Sequence, residues 1–488
     1  MRLLEITFLL LTFVLLIWSL KRNSAKSVVF SIIAGCTFLV LILHLVIEGW
    51  RSQMLPAYVV GVIILAVAVK RKFINRDLAA PPRSKFRLIL KILLSGAGIL
   101  LLFVSGFLSW ALPVFQLPAP TGPYQVGTSQ WYLMDKSREE IHTVQPDDYR
   151  EISVFGWYPA DASNMKKPAE YAENSPLYLN QVRFVHTHSY PDAAVLKKQT
   201  PYPVLIFSHG YSGMATQNTT LMEELASHGY AVFSIGHTYE SIEESFPDGR
   251  VILFSPSAEI SESLSKARKE AEELKSGDID AAIEFFKKYN TSQAFGRSTY
   301  IWSADTRFVI DWLEELNNEE RTNHFYQQLD LNRLGVFGHS FGGVTAAHVV
   351  FEDNRVKAAL SLDGGVPGGE FIDHSLDVPF MFMKSASSNA LLNANRLVLE
   401  QMMGKSNNDV YIITVNGSMH IDFCDLAVFS PVLKYFRPPG RIDGQKMLKI
   451  MNSYTLAFFN KHLKGMDSPL LDGPSPDFPE VIIKTGKQ

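Results

Sequence analysis

Cysteine is scarce in this sequence, in which Cys36 and Cys424 are the only two among 488 residues. Two thiols so far apart, one of them inside an apolar stretch, cannot form the disulfide framework that holds small secreted domains together. They also give little information about the redox compartment. The length of the chain leaves room for two or three domains of ordinary size.

Acidic residues are scarce in the N-terminal part of the chain, and basic residues are outnumbered by acidic ones in the rest. Residues 1–119 hold 13 Lys and Arg but only three acidic residues, namely Glu5, Glu48 and Asp77. Subtracting these from the chain totals of 46 and 49 leaves residues 120–488 with 33 basic and 46 acidic side chains. Because phosphate binding needs a positive field, we expect no nucleic-acid partner for this acidic part.

Four apolar runs precede Pro113. Those at 28–47 and 92–112 have 20 and 21 residues, enough to cross the ~30 Å hydrocarbon layer of a membrane as helices. Those at 6–20 and 54–69 have 15 and 16 residues and need their flanks or a thinner bilayer to span. The runs show no buried acid–base pairs or repeats. We therefore predict about four transmembrane helices in residues 1–112, which serve as an anchor rather than a transporter.

Basic residues between the runs predict how these helices are oriented. Residues 70–91 hold eight basic side chains and one acid, and residues 21–27 hold three basic side chains, whereas 48–53 holds one of each sign. The positive-inside rule places the first two segments in the cytoplasm. We therefore expect a multi-pass membrane protein whose remaining chain is extracytoplasmic. A basic loop that binds a nucleic acid or another partner is the weaker alternative.

After a Pro-rich linker at 113–123, short apolar runs alternate with longer helical patterns through a single predicted domain, residues 124–488. Runs without strict alternation indicate strands buried on both faces, as in a parallel sheet covered by helices. Such alternation is typical of doubly wound α/β proteins, whose sites lie at the carboxyl ends of strands. The predicted strands are 152–158, 204–207, 231–235, 334–337, 358–362, 380–383 and 410–415. The predicted helices include 218–228, 260–289, 302–317 and 342–351.

A serine between glycines lies where one of these strands meets a helix, in the segment Gly338-His339-Ser340-Phe341-Gly342. A bare G-x-S-x-G pattern is weak, because a chain with this many glycines contains one by chance in roughly one case in ten. The strand before it and the helix after it make it specific. A serine at such a corner projects its hydroxyl from the edge of the sheet, and the glycines allow strand and helix to approach closely.

A serine hydroxyl becomes nucleophilic only when a base takes its proton and an acid orients that base. In hydrolases of this type the acid and then the histidine follow the serine along the chain. Asp363 ends a predicted strand and is the favoured acid, with Asp373 and Asp377 as alternatives. His420 follows a late strand and is the favoured base. His462 lies at the end of an apparent C-terminal helix and is the alternative.

The negative charge that forms on the ester oxygen needs two N–H donors aimed at it. Phe341, directly after the serine, supplies one backbone N–H. The loop after the strand at 204–207 supplies the other, with Tyr211 as the predicted donor. His209 in the same loop is expected to shape it by a hydrogen bond rather than to react. Asp305 is expected in the first turn of the helix at 302–317, without a functional role.

These segments resemble, in order, the platelet-activating-factor acetylhydrolase family of α/β-hydrolases. The quoted motifs are TGPYQVGT, FSHGYSG, SHGYAVFSIGHTYES, GHSFGG, SLDGG and GSMH. The resemblance implies a calcium-independent serine esterase, without metal or cofactor, that releases short or oxidised acyl chains from phospholipids. It makes Ser340 the nucleophile, Asp363 the acid and His420 the base, and it matches Tyr211 and Phe341 to the oxyanion positions.

The sequence also departs from that family. The N-terminal spans are absent from its secreted animal members and indicate a membrane-anchored bacterial relative, and Tyr211 replaces an aliphatic residue. The loop at 182–195 diverges, so the acyl group preferred is not implied. His186 and His188 in this loop lack a third metal ligand and are expected to line the pocket mouth.

We therefore expect a membrane-embedded serine esterase whose partner is an ester or phospholipid substrate, with its oligomeric state left open. The alternatives are a broad carboxylesterase, a dienelactone-hydrolase-like enzyme, a polyester hydrolase, or a non-catalytic receptor on a hydrolase fold.

Overall fold

The structure is a computed structural model, and its chain divides into two compact units. It describes residues 1–20, 28–70, 85–161, 167–171, 182–255, 258–291, 293–319, 324–387, 389–432 and 441–486. The N-terminal unit comprises Met1–Gln116, Pro176–Val185 and Phe429–Phe436. The C-terminal unit comprises Leu117–Ser175, His186–Val428 and Arg437–Gln488.

The N-terminal unit contains four apolar helices in its described residues. They are α1 (Leu3–Ser19), α2 (Val28–Leu43, continued by a π-helical turn at His44–Glu48), α3 (Leu55–Val69) and α4 (Lys85–Ala111). The stretches Val28–Glu48, Ser52–Val69 and Ile89–Ala111 are long and apolar enough to cross a membrane, by length and composition. Helix α1 has 17 residues and falls short of that length. Most of the basic segments used for orientation, 21–27 and 71–84, lie outside the described residues.

A buried ion pair in this unit joins two residues that flank the predicted apolar runs. Glu5 in the first turn of α1 contacts Arg51, in the connection between α2 and α3, with Arg51 Nη1 2.8 Å from Glu5 Oε1 and neither side chain exposed. Nearby, His44 Nε2 lies 2.6 Å from Tyr58 Oη. The pair cannot be predicted from the sequence, because its partners are 46 positions apart and meet only when the helices pack.

A ten-stranded sheet forms the centre of the C-terminal unit, in the order β12-β11-β10-β9-β8-β4-β5-β2-β1-β3. The strands are β1 (Val126–Glu139), β2 (Tyr149–Pro159), β3 (Ser189–Pro191), β4 (Tyr202–Ser208), β5 (Ala231–Gly236), β6 (Glu243–Ser245), β7 (Val251–Leu253), β8 (Leu329–His339), β9 (Val356–Leu362), β10 (Phe380–Ser385), β11 (Val410–Val415) and β12 (Val481–Gly486). Strands β5, β4, β8, β9, β10 and β11 are parallel to their neighbours in that run. Strands β6 and β7 form a separate hairpin.

Helices cover both faces of this sheet. They are α5 (Thr219–Ser227), α6 (Ala258–Glu272), α7 (Ile279–Asn290), α8 (Gln293–Asn318), α9 (Phe341–Glu352), α10 (Ala390–Lys405), α11 (Leu426–Phe429) and α12 (Gly444–Lys464). Apolar side chains of α6 to α10 share one buried cluster, and those of α5 and α12 share the other. Strands covered on both faces have no polar side, which explains their unbroken apolar runs. The predicted mostly parallel, doubly wound sheet is confirmed.

All seven predicted strands are present. Of the helix predictions, the one at 260–289 is wrong, and the one at 302–317 is helical but starts too late. The pattern at 260–289 forms two helices, because Gly277 has a φ of +85° and the Asp278 carboxylate accepts a hydrogen bond from the Ala281 N–H, capping a new helix. The pattern at 302–317 belongs to α8, which begins at Gln293. Asp305 therefore lies in the middle of a helix and not in its first turn.

Candidate active site

Ser340 lies at the sharp corner between β8 and α9. Its φ of 56° and ψ of −115° belong to a strained backbone region that residues other than glycine rarely adopt. Its backbone N–H donates to the carbonyl of Leu362, at the end of β9, over 2.8 Å. The corner is thus tied to the carboxyl end of the neighbouring strand, where α/β proteins place their sites.

The glycines around Ser340 are required by the close approach of strand and helix. A Cβ on Gly342 would lie 1.9 Å from the carbonyl oxygen of Ser208, and one on Gly338 would lie 2.2 Å from the carbonyl carbon of Gly342. Real Cβ atoms do not come so close to backbone atoms. The prediction that these two glycines permit close packing at the corner is confirmed.

His420 stands between Ser340 and Asp363. Its Nε2 lies 2.8 Å from Ser340 Oγ, and its Nδ1 lies 2.8 Å from Asp363 Oδ2. The carboxylate accepts the Nδ1–H, which leaves the Nε2 lone pair facing the serine hydroxyl. The histidine side chain is 49% exposed and that of Asp363 is 2% exposed. The structure therefore brings together the three residues favoured from the sequence, with the base open to solvent.

Asp363 is held as a carboxylate by its surroundings. Burial would raise the pKa of this group, but the His420 hydrogen bond, the Lys384 ammonium and the Ser385 N–H together lower it to about 2. The Ser385 N–H donates to Oδ1 over 2.7 Å. The carboxylate is therefore ionised and fixed in orientation at neutral pH, as an acid that orients an imidazole must be.

The alternative residues lie elsewhere. Asp373 forms an ion pair with Lys287 at 2.6 Å, and Asp377 accepts a hydrogen bond from the Ser375 hydroxyl at 3.1 Å. His462 lies in the last turn of α12, where burial lowers its pKa to about 4. None of the three forms a hydrogen bond with Ser340 or His420 in the described part of the chain.

Two backbone N–H groups near Ser340 have no hydrogen-bond acceptor among the described residues, those of Tyr211 and Phe341. Phe341 is the first residue of α9, where N–H groups lack helical partners. The loop of Tyr211 lies against the serine, because a Cβ on Gly210 would be 3.3 Å from Ser340 Cβ. The two rings are in contact, with centroids 5.8 Å apart. Donors so placed are available to a ligand at the serine.

His209 shapes this loop from within. Its Nδ1–H donates to the Gly210 carbonyl over 2.7 Å, and its Nε2 accepts from the Ser241 hydroxyl at 2.8 Å. Burial lowers the pKa of His209 to about 3, so the ring is neutral. The prediction that this histidine shapes the loop by a hydrogen bond is confirmed.

Sequence reasoning missed a buried polar network beneath the loop. The Ser208 hydroxyl lies 3.1 Å from His237 Nε2, and His237 Nδ1 lies 2.8 Å from Asp305 Oδ2. Asp305 also accepts from Arg150 Nη2 at 2.7 Å and from Arg138 Nη2 at 2.9 Å. This second Ser–His–Asp arrangement is fully buried. It therefore fixes the end of β4, where the loop of Tyr211 begins, and is closed to substrate.

His339, beside the serine, was also missed. Its Nε2–H donates to the His420 carbonyl at 3.1 Å, and its Nδ1 accepts from Gln217 Nε2 at 3.0 Å. Burial lowers the pKa of His339 to about 3, so it is a neutral link between the base and the segment after Tyr211. The sequence signal for it is the histidine inside the G-x-S-x-G pattern, directly before Ser340.

No group of three or more His, Cys, Asp or Glu side chains within the described ranges is arranged to hold a metal ion. His188 Nδ1 contacts Glu223 Oε2 at 3.3 Å, and His186 lies beside it on the exposed side of the same segment.

The chain matches the family model described as platelet-activating factor acetylhydrolase, isoform II, over residues 111–469. It is 25% identical to the platelet-activating factor acetylhydrolase of Gallus gallus over 390 residues, which cover 74% of this chain and 88% of the relative. It is 22% identical to a probable 1-alkyl-2-acetylglycerophosphocholine esterase of Arthroderma benhamiae, covering 80% of this chain and 100% of the relative. The ferulic acid esterase structure from Streptomyces cinnamoneus superposes with a TM-score of 0.58 at 27% identity, covering 76% of this chain and 99% of that one.

The family match covers most of the chain, and the superposition with the esterase structure covers 76% of it. The fold of the C-terminal unit is therefore that of the α/β-hydrolases. The chain belongs to the platelet-activating factor acetylhydrolase family and is an ester hydrolase.

Proposed function

We propose that this protein is a membrane-anchored serine esterase that hydrolyses carboxylic esters through an acyl-Ser340 intermediate, acting on phospholipids with short or oxidised acyl chains. The observation that carries the proposal is the continuous hydrogen-bonded series from Ser340 Oγ through His420 to Asp363, with both distances 2.8 Å.

In the first step, the Ser340 oxygen attacks the ester carbonyl carbon while His420 Nε2 accepts the hydroxyl proton. Asp363 holds the Nδ1–H and stabilises the imidazolium that forms. His420 then protonates the departing alkoxide, and the alcohol leaves. In the second step His420 takes a proton from water, whose oxygen attacks the acyl-serine. His420 then returns that proton to Ser340 Oγ as the bond between Oγ and the acyl carbon breaks and the carboxylic acid leaves.

Both steps place negative charge on the former carbonyl oxygen. The N–H groups of Tyr211 and Phe341 are the proposed donors to it, and one such donor contributes about 10²- to 10³-fold in rate. The buried polar network around Asp305 supports this role, because donors that do not move need no reorganisation when the charge appears.

The membrane part of the proposal rests on the apolar helices. Residues 1–112 form the anchor, 113–123 the linker and 124–488 the catalytic domain. The three long apolar stretches and the excess of basic residues at 70–91 support an extracytoplasmic catalytic domain.

The acyl preference follows the relatives whose names specify acetyl esters. A second candidate is a broad carboxylesterase that accepts bulky or aromatic acyl groups, and the similarity to a ferulic acid esterase favours it. A panel of esters with one alcohol and acyl chains of increasing length separates the two. A sharp preference for chains of two to four carbons supports the first, and equal or better cleavage of feruloyl or long-chain esters supports the second.

The nucleophile and the topology are tested together with a membrane-impermeant fluorophosphonate probe. On intact cells we expect labelling of the peptide containing Ser340, and on lysed cells the same labelling without increase. Labelling only after lysis contradicts the proposed orientation but not the nucleophile. The Ser340→Ala variant is expected to lose label and at least ~10⁴-fold in kcat/KM, whereas Ser475→Ala, on a loop before β12, keeps both. Unchanged ester turnover in Ser340→Ala refutes the mechanism.

A further inference from the structure

A lysine occupies a buried position at the carboxyl end of β10, where the pattern of the strand predicts an apolar side chain. Successive side chains of a strand alternate between its two faces, so Phe380, Phe382 and Lys384 share one face. Phe380 and Phe382 belong to the apolar cluster that α6 to α10 complete. Lys384 is only 7% exposed. Because lysine is almost never buried so fully unless it is paired, its partners indicate why it is there.

The Lys384 ammonium is held at the turn that follows the catalytic acid. Its Nζ donates to Asn395 Oδ1 on α10 over 3.0 Å and lies 3.5 Å from the Gly364 carbonyl oxygen. Asp363 in this turn has a φ of 49°, a left-handed conformation that is uncommon for residues other than glycine. A Cβ on Gly364 would lie 2.6 Å from the Ser340 carbonyl oxygen. The turn held by the lysine therefore also packs against the corner that carries the serine.

The residues on either side of Lys384 bind the acid directly. The Asp363 N–H donates to the Met383 carbonyl over 2.7 Å, and the Ser385 N–H donates to the Asp363 carboxylate over 2.7 Å. Lys384 thus belongs to the segment of β10 that fixes the acid. Burial raises the pKa of Asp363, and the lysine ammonium is one of the groups that lower it, after the His420 hydrogen bond.

The effect on the lysine is the reverse of the effect on the acid. Burial lowers the pKa of Lys384, whereas the Asp363 carboxylate raises it. The ammonium and the carboxylate therefore stabilise each other's charge in an interior that solvates neither.

The other charged and titratable groups around this pair do not replace the ammonium. Arg396 on α10 lies near it but is exposed to solvent. Asp422, in the turn after the base, is near the acid and forms an ion pair with Arg441. Burial lowers the pKa of His339 to about 3, so this ring carries no charge. His420 is the base itself, and it is half exposed.

A cation beside the acid also acts on the base. A carboxylate that accepts a hydrogen bond from an imidazole favours the protonated form of the ring, which cannot take a proton from serine. A positive charge close to the same carboxylate opposes this protonation, because it cancels part of the negative field at the ring. Since the charge is buried, solvent and salt screen it little.

We propose that Lys384 is a positioning residue that acts through Asp363: its ammonium fixes the turn of the acid and extends the activity of the esterase to lower pH. Asn395 orients the ammonium. The lysine does not act on the ester itself. This inference deepens the proposed function and rests on the series from Ser340 through His420 to Asp363.

The pH dependence of kcat/KM for p-nitrophenyl acetate tests this role, because the fall on the acidic side of the profile reports protonation of the base in the free enzyme. Lys384→Met removes the charge and keeps an unbranched apolar side chain. We expect the midpoint of this fall to move to higher pH by about 0.5–1 unit. Lys357→Met is the matched control. This lysine is exposed on the neighbouring strand β9, and the variant is expected to keep the wild-type profile.

A second variant keeps the test informative if Lys384→Met folds poorly. Asn395→Asp preserves the shape of the side chain and retains the lysine, but it places a negative charge at the atom that now lies 3.0 Å from Nζ. The midpoint is expected to move in the same direction by a smaller amount. A variant that lowers kcat/KM equally at every pH has lost packing and not charge. Either variant, folded and with the wild-type midpoint, overturns the proposal.

Failure of this inference and failure of the proposed mechanism give different results. If the mechanism is wrong, Ser340→Ala retains ester turnover. If only the role of Lys384 is wrong, Ser340→Ala is inactive while Lys384→Met and Asn395→Asp keep the wild-type midpoint.

Discussion

The Asp363→Asn substitution provides the most discriminating test of the proposed mechanism. The two carboxylate oxygens have different donors: Oδ1 accepts from the Ser385 N–H and Oδ2 from His420 Nδ1, at 2.7 and 2.8 Å. The Ser385 backbone N–H cannot become an acceptor. The asparagine must therefore keep its oxygen towards Ser385 and turn its NH₂ group towards the histidine.

That arrangement forces the wrong tautomer on His420. An NH₂ group facing Nδ1 requires a lone pair on Nδ1, so the proton moves to Nε2, which then cannot accept from the Ser340 hydroxyl. We expect kcat to fall by roughly 10⁴-fold with little change in the fold. The lowered pKa of Asp363, from 3.8 to about 2, corresponds to about 2 kcal/mol of stability at neutral pH that the variant loses.

The assay is p-nitrophenyl acetate turnover at pH 7.5, combined with urea denaturation. Asp373→Asn is the matched control, because that carboxylate pairs with Lys287 and is half exposed. A variant that keeps more than about a tenth of the wild-type kcat would refute the assignment of Asp363, since an incorrect tautomer cannot sustain such a rate.

Three further predictions concern the surroundings of the site. Asp305→Asn removes the buried charged partner of Arg150 and His237. It is expected to lower the free energy of unfolding by about 3 to 5 kcal/mol, measured by denaturation, and to lower kcat, measured by turnover. Unchanged stability contradicts the structural role of the buried polar network. Burial raises the pKa of Glu244 from 4.5 to about 7. As pH rises from 4.5 to 7, the wild type is therefore expected to lose about 3 kcal/mol of stability relative to Glu244→Gln, because the unfolded chain ionises this group first. A difference in denaturation midpoint that does not change with pH contradicts this prediction. Gly342→Ala places a Cβ 1.9 Å from the Ser208 carbonyl oxygen and is expected to prevent folding. The control is Gly404→Ala in α10, whose new Cβ has no atom within 4 Å. It is expected to raise the thermal midpoint by an amount equivalent to about 0.5–1 kcal/mol.

The sequence was informative where structure is local. The strand, the glycine-flanked corner and the helix around Ser340 follow one another along the chain, so their order predicts the geometry. The order of acid and base along the chain then selected Asp363 and His420 from a small set. The buried strands can be recognised for the same reason, because the burial of each strand is visible in its own sequence as an unbroken apolar run.

Features that depend on distant packing were not predictable. Arg150 and Asp305 are 155 positions apart, and neither carries a local sign that it is buried. Strand β1 was missed because burial alternates with exposure along much of it, so it lacks the continuous buried apolar run that marks the central strands. The break between α6 and α7 had a local signal, Gly277 followed by Asp278, but the apolar helical spacing on both sides concealed it.

The two classes of residue have different roles in the proposed mechanism. The residues that could be predicted from local sequence supply the reacting groups. The residues that could not be predicted hold those groups in position. His339 links the carbonyl of His420 to Gln217, and His237 links Ser208 to Asp305, so the base and the loop of Tyr211 are both tied to buried neutral imidazoles. A charged histidine in either place would need solvation that the interior does not provide. The burial that lowers the pKa values of these two histidines to about 3 and 4 therefore also keeps the proposed oxyanion donors fixed at physiological pH.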